Sequence, residues 1–275
     1  MIYRKPEVGT ENLNFLKLGG SLITNKTRPG NARLEVIRRL VKEVSNALHQ
    51  SPDLKLVLGH GSGSFGHVPA KKFGTRDGVS TPEQWGGFLE VWRDAAALNR
   101  IVVDALREAE LPAITFPPSA EIITQNRDVL QWNLAPLRSA LNVGMLPVIY
   151  GDVVFDHEIG GTILSTEDLF DHLAVNLAPS RILIAGKEQG VWDDFSECTK
   201  IISNITPKNI PTIQAAISGS TATDVTGGML SKVTQSLKMV QENPGLEVLI
   251  FSGEKGGWLE DALLGANRGT VIRME

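Results

Sequence analysis

Short apolar runs alternate along this chain with longer stretches in which apolar residues recur every three or four positions. Asn14 to Leu18 (NFLKL) is of the first kind, a strand-length run that stops at Gly19-Gly20. The second kind follows: Leu34, Ile37, Leu40, Val41, Val44 and Leu48 mark one face of a helix from Leu34 to Leu48. Lys55 to Leu58 predicts a second strand running into another glycine-rich segment. Trp85 to Ala109 predicts the longest helix, with Phe88, Leu89, Trp92, Ala95, Leu98, Ile101, Val102 and Leu106 on its apolar stripe. Further strands are expected at Ala113 to Phe116, Leu146 to Tyr150, Arg181 to Ala185 and Glu247 to Phe251, and helices at Thr166 to Leu177 and Gly228 to Gln241. Between Gly151 and Ser165, Val153-Val154-Phe155 and Ile163-Leu164 flank a turn-rich stretch with two glycines, the pattern of a β-hairpin.

Strand-length runs alternating with helical patterns indicate an α/β fold, a mostly parallel sheet with helices on both faces. No repeat, low-complexity tract or linker divides the 275 residues, and 42% hydrophobic content is enough for one large core or two coupled lobes. A formal net charge of −4 provides no overall basic field, which argues against a nucleic-acid partner. No apolar run approaches the ~20 residues needed to span a bilayer, and residues 1–11 do not resemble a signal peptide. The single cysteine, Cys198, allows no internal disulfide. A cytoplasmic protein is expected.

Three glycine-rich segments carry the candidate chemistry: Lys17-Leu18-Gly19-Gly20-Ser21, Gly61-Ser62-Gly63-Ser64-Phe65-Gly66-His67, and Asp224-Val225-Thr226-Gly227-Gly228-Met229-Leu230-Ser231-Lys232. Each presents backbone N–H groups without side chains to block an approaching phosphate. Lys17 closes an apolar run, where an ammonium is costly to bury unless an anion joins it. Lys26 stands a few residues on, in a polar loop able to fold over the same place. His67 can donate a hydrogen bond or a positive charge to an anionic oxygen, whereas His49, His60, His157 and His172 are read as structural, as a lone histidine more often is. Gly227-Gly228 sits at an expected helix start with Lys232 one turn inside, which puts backbone donors, the positive helix end and an ammonium on one phosphate. Gly61, Gly63 and Gly66 also satisfy G-x-G-x-x-G, but the motif follows the second strand and no strand-end acid comes about 20 residues later, against a dinucleotide site. A Walker A sequence and the protein-kinase triplets are absent.

Lys17-Leu18-Gly19-Gly20-Ser21, Gly151-Asp152 after a buried strand, and Asp224 to Met229 with Lys232 resemble, in the same order, the amino acid kinase superfamily. Within it, Gly61 to His67 together with Lys26 resemble the isopentenyl phosphate kinases; the fosfomycin kinases share the histidine and are the nearest rival. The resemblance implies a three-layer αβα sandwich, with residues 1–178 forming an acceptor lobe and residues 179–275 a nucleotide lobe. It implies ATP and Mg²⁺, isopentenyl phosphate as acceptor, and a homodimer. Lys17 and Lys232 would contact the ATP phosphates, with Gly19, Gly20, Ser21, Gly63 and Gly228 lining the same anion and Lys26 assisting. His67 would bind the acceptor's phosphate, with Ser62 and Gly63 at the same turn, and Gly151 and Asp152 would close on it. Asp168 would organise the lysines. The family's SGDD-like segment appears here as Ser165-Thr166-Glu167-Asp168, and its TDVDGVY-like turn as Gly186-Lys187-Glu188-Gln189-Gly190-Val191-Trp192, with Lys187 in place of an acid. Phe88, Leu89 and Trp92 read first as the core stripe of their helix, with walling a prenyl group as the alternative. A non-catalytic anion or nucleotide binder on the same fold is the remaining alternative, distinguished by loss of the lysines that this chain retains.

Overall fold

The computed structural model describes residues 12–25, 27–194, 197–211 and 228–275. Its strands are β1 (Leu13–Leu18), β2 (Lys55–His60), β3 (Ala113–Thr115), β4 (Ile122–Gln125), β5 (Asp128–Trp132), β6 (Leu146–Tyr150), β7 (Asp152–Asp156), β8 (Gly160–Leu164), β9 (Arg181–Gly186), β10 (Val191–Trp192), β11 (Ile201–Ile202), β12 (Asn204–Ile205), β13 (Glu247–Ser252) and β14 (Thr270–Ile272). The α-helices are α1 (Gly20–Ile23), α2 (Leu34–Gln50), α3 (Gly63–Phe73), α4 (Pro82–Glu108), α5 (Pro118–Glu121), α6 (Ala135–Asn142), α7 (Thr166–Leu177), α8 (Gly228–Glu242) and α9 (Trp258–Leu263). One sheet runs β12-β14-β13-β9-β1-β2-β6-β3, parallel except between β13 and β14. A four-stranded sheet, β5-β4-β7-β8, includes the expected hairpin as β7 and β8.

Successive strand side chains point to opposite faces, so each central strand feeds two cores. Leu13 and Phe15 of β1, Val57 of β2 and Ile182 and Ile184 of β9 pack with Leu169, Phe170 and Leu173 of α7 and Val233, Met239 and Val240 of α8. Leu16 and Leu18, Leu56 and Leu58, and Leu183 and Ala185 pack on the other side with Ile37, Leu40 and Val44 of α2, Leu98 and Val102 of α4 and Leu259 of α9. Helices cover both faces, giving a three-layer αβα sandwich. This is why the strands read as unbroken apolar runs. Among the described residues, no helix is long and apolar enough to cross a membrane.

The longest helix begins at Pro82, three residues before the expected start at Trp85, because Thr81 caps it. The Thr81 hydroxyl accepts from the Gln84 N–H at 3.3 Å and the Gln84 side chain accepts from the Thr81 N–H at 3.2 Å. The β4–β5 hairpin had no sequence signal. Its turn residues Asn126 and Arg127 both have positive φ, 49° and 74°, without the glycine that normally marks such a turn. That turn is held from outside by Asp156. The Asp156 carboxylate accepts from the backbone N–H groups of Asn126 (3.2 Å) and Arg127 (2.8 Å), from the Thr124 hydroxyl (2.7 Å), and from the N–H groups of Glu158 (2.9 Å) and Ile159 (3.1 Å) in its own turn.

Burial alone would raise the Asp156 carboxyl, but the bonds from Arg127, Thr124, Ile159 and Glu158 hold it well below the usual carboxylate range. A carboxyl with a lowered folded-state pKa contributes stability above its unfolded value, and that stability is lost as pH falls through the folded one. Asp156→Asn should therefore cost roughly 2–3 kcal/mol near pH 7. The gap to wild type should narrow below about pH 4, as read from urea-unfolding midpoints at several pH values.

Candidate active site

The alternation along β1 decides where Lys17 goes. Leu13, Phe15 and Lys17 share the face that α7 covers, and the Phe15 ring lies 5.0 Å from that of Phe170. Lys17 is two residues further along the strand and Glu167 is one helical turn back from Phe170. The same register that stacks the rings therefore brings the ammonium to the carboxylate. Lys17 is 7% exposed, and its Nζ forms an ion pair with Glu167 Oε1. Burial pushes the Glu167 carboxyl up, but the Lys17 ammonium, Glu167's own backbone N–H and the charge of Lys232 outweigh it and hold the group below the usual range. Lys232, in the second turn of α8, is thus electrostatically within reach of the same carboxylate.

The glycine turns after β1 and β2 meet at the same sheet edge. The Gly19 N–H donates to the Ala185 carbonyl of β9 at 2.9 Å, fixing the exit of β1. Gly20 and Gly63 then touch backbone to backbone: a Cβ on Gly20 would lie 2.5 Å from Gly63 N and 2.7 Å from its Cα. Gly63 itself has φ +50°, and a Cβ there would lie 2.5 Å from Gly20 O and also collide with the Thr24 side chain. Thr24 ties the turns further, its hydroxyl donating to Gly20 O (2.7 Å) and accepting from Ser64 N (2.9 Å). Two glycine turns are held side by side because neither glycine carries a side chain.

The second segment is only briefly a turn. After Gly61 and Ser62 the chain enters α3 at Gly63, so half-buried His67 sits at the start of that helix's second turn and not in a loop. Ser21 lies half-buried in α1 beside Gly20. Gly228 opens α8 with φ 62°. Lys26 and residues 224–227 lie outside the described residues.

Three expectations are corrected. Asp168 does not face Lys17. It caps α7 reciprocally with Ser165 (2.8 and 3.1 Å), accepts from Gln235 Nε2 at 3.1 Å, and lies 3.5 Å from Arg76 Nη2. The carboxylate that meets Lys17 is its neighbour Glu167, which the Phe15–Phe170 spacing could have indicated. Gly151 and Asp152, expected to close on an acceptor, are both buried. The Gly151 N–H donates to the His60 carbonyl at 3.1 Å and Asp152 is fully enclosed. Burial raises the Asp152 carboxyl to about 6, with Ser119, the Val153 N–H and Tyr150 partly opposing it. The expected apolar wall also divides. Phe88 is buried with Val79, Val91 and Val153, whereas Leu89 and Trp92 are exposed.

His60 is fully buried beneath the edge. Its ring stacks on Tyr150, and desolvation lowers its pKa to about 4, against opposing bonds to the Gly61 carbonyl and Asn99. It is neutral at physiological pH, as a structural histidine should be. The Gly186 to Trp192 turn is pinned at both ends, by Ser252 Oγ donating to the Lys187 carbonyl (3.0 Å) and Trp192 Nε1 donating to Glu188 (2.8 Å). Lys187 is exposed there.

A doubly wound sheet, paired glycine turns at one edge and a buried lysine–carboxylate pair define a phosphate-handling enzyme of the α/β class. The sequence profile of the amino acid kinase family matches residues 12–252, and the chain belongs to that family, on the isopentenyl phosphate kinase branch. It is 34% identical over 269 residues to the isopentenyl phosphate kinase of Methanocaldococcus jannaschii, covering 94% of this chain and 98% of that one. It is 31% identical to that of Methanothermobacter thermautotrophicus, with the same coverage. Among solved structures, one of isopentenyl phosphate kinase superposes with a TM-score of 0.80 at 29% identity, over 94% of this chain and 99% of that one. The Thermoplasma acidophilum isopentenyl phosphate kinase product complex superposes at 0.74 and 27%, over 95% and 100%.

Removing Glu167's charge leaves Lys17 buried without its partner. Glu167→Gln should destabilise the protein by about 3 kcal/mol in chemical denaturation. Lys17→Met/Glu167→Gln should recover most of that loss, because no uncompensated charge remains.

Proposed function

We propose that this chain is a kinase that transfers the γ-phosphoryl group of ATP to isopentenyl phosphate, giving isopentenyl diphosphate and ADP. The observation that carries the reading is the meeting of Lys17, Glu167 and the charge of Lys232 at the edge where the turns of β1 and β2 touch. Such a site suits two phosphate-bearing substrates lying end to end. The acceptor is chosen from the full-length similarity to isopentenyl phosphate kinases.

The acceptor needs no strong general base. A phosphate monoester has its second pKa near 6, so an anionic oxygen is already available at neutral pH. That oxygen attacks γ-phosphorus in line, the bond from γ-phosphorus to the β–γ bridging oxygen breaks, and the electron pair leaves with ADP. The obstacle is charge: several anionic oxygens must approach within a few ångströms. Lys17 and Lys232 would hold the nucleotide's phosphates and stabilise the equatorial oxygens in transit. Glu167 would keep the Lys17 ammonium at the sheet edge, and Lys26 would assist at the same group. Gly19, Gly20, Ser21, Gly63 and Gly228 would lie along the anion. His67, with Ser62 beside it, would take the acceptor's phosphate from the α3 side. The cationic donor set and the glycine turns fit a polyphosphate, and Mg²⁺ bound with the nucleotide would neutralise charge on the β- and γ-oxygens. We assign residues 1–178 to the acceptor and 179–275 to the nucleotide, in a cytoplasmic homodimer.

The test is ATP consumption with Mg²⁺ against isopentenyl phosphate, dimethylallyl phosphate and fosfomycin, with products identified by phosphorus NMR. Diphosphate formation from the prenyl phosphates supports the reading. Turnover of fosfomycin alone, or ATP binding without turnover, overturns it. In the active protein, Lys17→Ala and Lys232→Ala should each lower kcat by ~10²–10³, about 2.7–4 kcal/mol of transition-state stabilisation. His67→Ala should instead act mainly on the acceptor's KM, as steady-state kinetics with each substrate varied will show.

A further inference from the structure

Asp168 lies between α8 and the turn that follows α3, in contact with both. One carboxylate oxygen, Oδ1, accepts from Gln235 of α8 at 3.1 Å. The other, Oδ2, accepts from the Ser165 N–H at 2.8 Å and faces Arg76 Nη2 at 3.5 Å. Gln235 is one helical turn beyond Lys232, and a second contact a turn later, Lys238 Nζ to Asp171 at 2.8 Å, closes α8 further onto α7. Arg76 belongs to the other side. It lies in the 3₁₀ turn Thr75–Asp77, which follows α3, the helix bearing His67. That turn is bracketed by Gly74 and Gly78, both with positive φ, and its backbone is anchored on β8 by the Thr162 hydroxyl donating to the Arg76 carbonyl at 2.7 Å.

We propose that Arg76, Asp168 and Gln235 form a latch that couples the acceptor helix to the placement of Lys232, with Arg76 and Gln235 acting as positioning residues. This rests on the two-substrate reading above. The geometry fits a coupling element: Asp168 is locked by its reciprocal cap, so its two oxygens are fixed points. A shift of α3 and the turn behind it would change the Arg76 contact on one oxygen, while α8 is held through the other. The Arg76 guanidinium meets Asp168 at 3.5 Å and is about one-third exposed, so it can shorten that contact or release it as the acceptor side moves. Neither residue need touch a substrate.

The consequence is a crossed effect. Arg76→Met, on the acceptor side, should raise the KM for ATP about tenfold, and Gln235→Leu, on the nucleotide helix, should raise the KM for isopentenyl phosphate similarly. Arg76→Lys, which keeps the charge, should retain part of the wild-type value. The double variant Arg76→Met/Gln235→Leu should be no worse than the more damaged single variant, since both act through Asp168. Kinetics of the five proteins, with melting temperatures measured alongside, test this. Effects confined to each residue's own substrate, losses that multiply, or melting shifts with unchanged KM values overturn it. Calorimetric ATP binding to wild type and Arg76→Met reads the crossing without turnover. Weaker binding in the variant supports the latch even if the acceptor proves to be another compound, and equal binding overturns it. The wild-type acceptor assay alone decides the function.

Discussion

Lys17 sits on the face of β1 that α7 covers, and an ammonium enclosed there is tolerable only with an anion against it. In this structure Glu167 is that anion, and its carboxyl is held below the usual range by Lys17 in spite of burial. Much else follows from this pair. It fixes the register of α7 on the sheet together with the Phe15–Phe170 contact, and it sets a cation at the end of β1, where the chain turns through Gly19 and Gly20. Because the field of Lys232 also reaches Glu167, one carboxylate relates a strand and a helix that are distant in sequence. Two lysines against one carboxylate leave the pair of elements with a net positive charge at the end of β1.

The second constraint is steric. Parallel strands end at one edge of a sheet, and turns after adjacent strands are usually kept apart by their side chains. Here Gly20 and Gly63 remove that separation, so the turns of β1 and β2 make one surface. Thr24 binds both turns by its single hydroxyl, which explains a fully buried threonine at the end of a four-residue helix. The arrangement suits phosphoryl transfer because donor and acceptor phosphates must be adjacent yet mutually repulsive, and neighbouring turns can hold each in place.

The layers of the fold were legible in the sequence wherever burial was two-sided. Central strands such as β6 and β9 stand out as apolar runs, and α7 runs over the expected Thr166 to Leu177, with Ser165 capping its first turn. What escaped notice was held by contacts distant in sequence. The β4–β5 turn adopts positive φ at Asn126 and Arg127 because Asp156 accepts their N–H groups from another hairpin, and no local residue announces it. The glycine-rich segment before His67 has the composition of a turn, yet it is mostly helix, since Gly63 and Gly66 serve close packing and not only bending. Of the candidate residues, Lys17, Gly19, Gly20 and Gly63 lie at the ends and turns of adjacent strands. Adjacent carboxylates were harder to separate. Glu167 and Asp168 differ by one position, about 100° around the helix, and the Phe15–Phe170 contact, which sets the register of α7, shows which faces the lysine and which faces Arg76.

If the buried pair is the electrostatic centre of the site, Glu167 should matter to the rate beyond its effect on stability. The most direct measurement is kcat for Glu167→Gln under saturating ATP and isopentenyl phosphate, at a temperature where the variant is fully folded. The account predicts a fall of about a hundredfold, because Lys17 loses the group that holds it at the sheet edge. A kcat within twofold of wild type would contradict it, and would leave Glu167 as a counter-ion with no part in transfer.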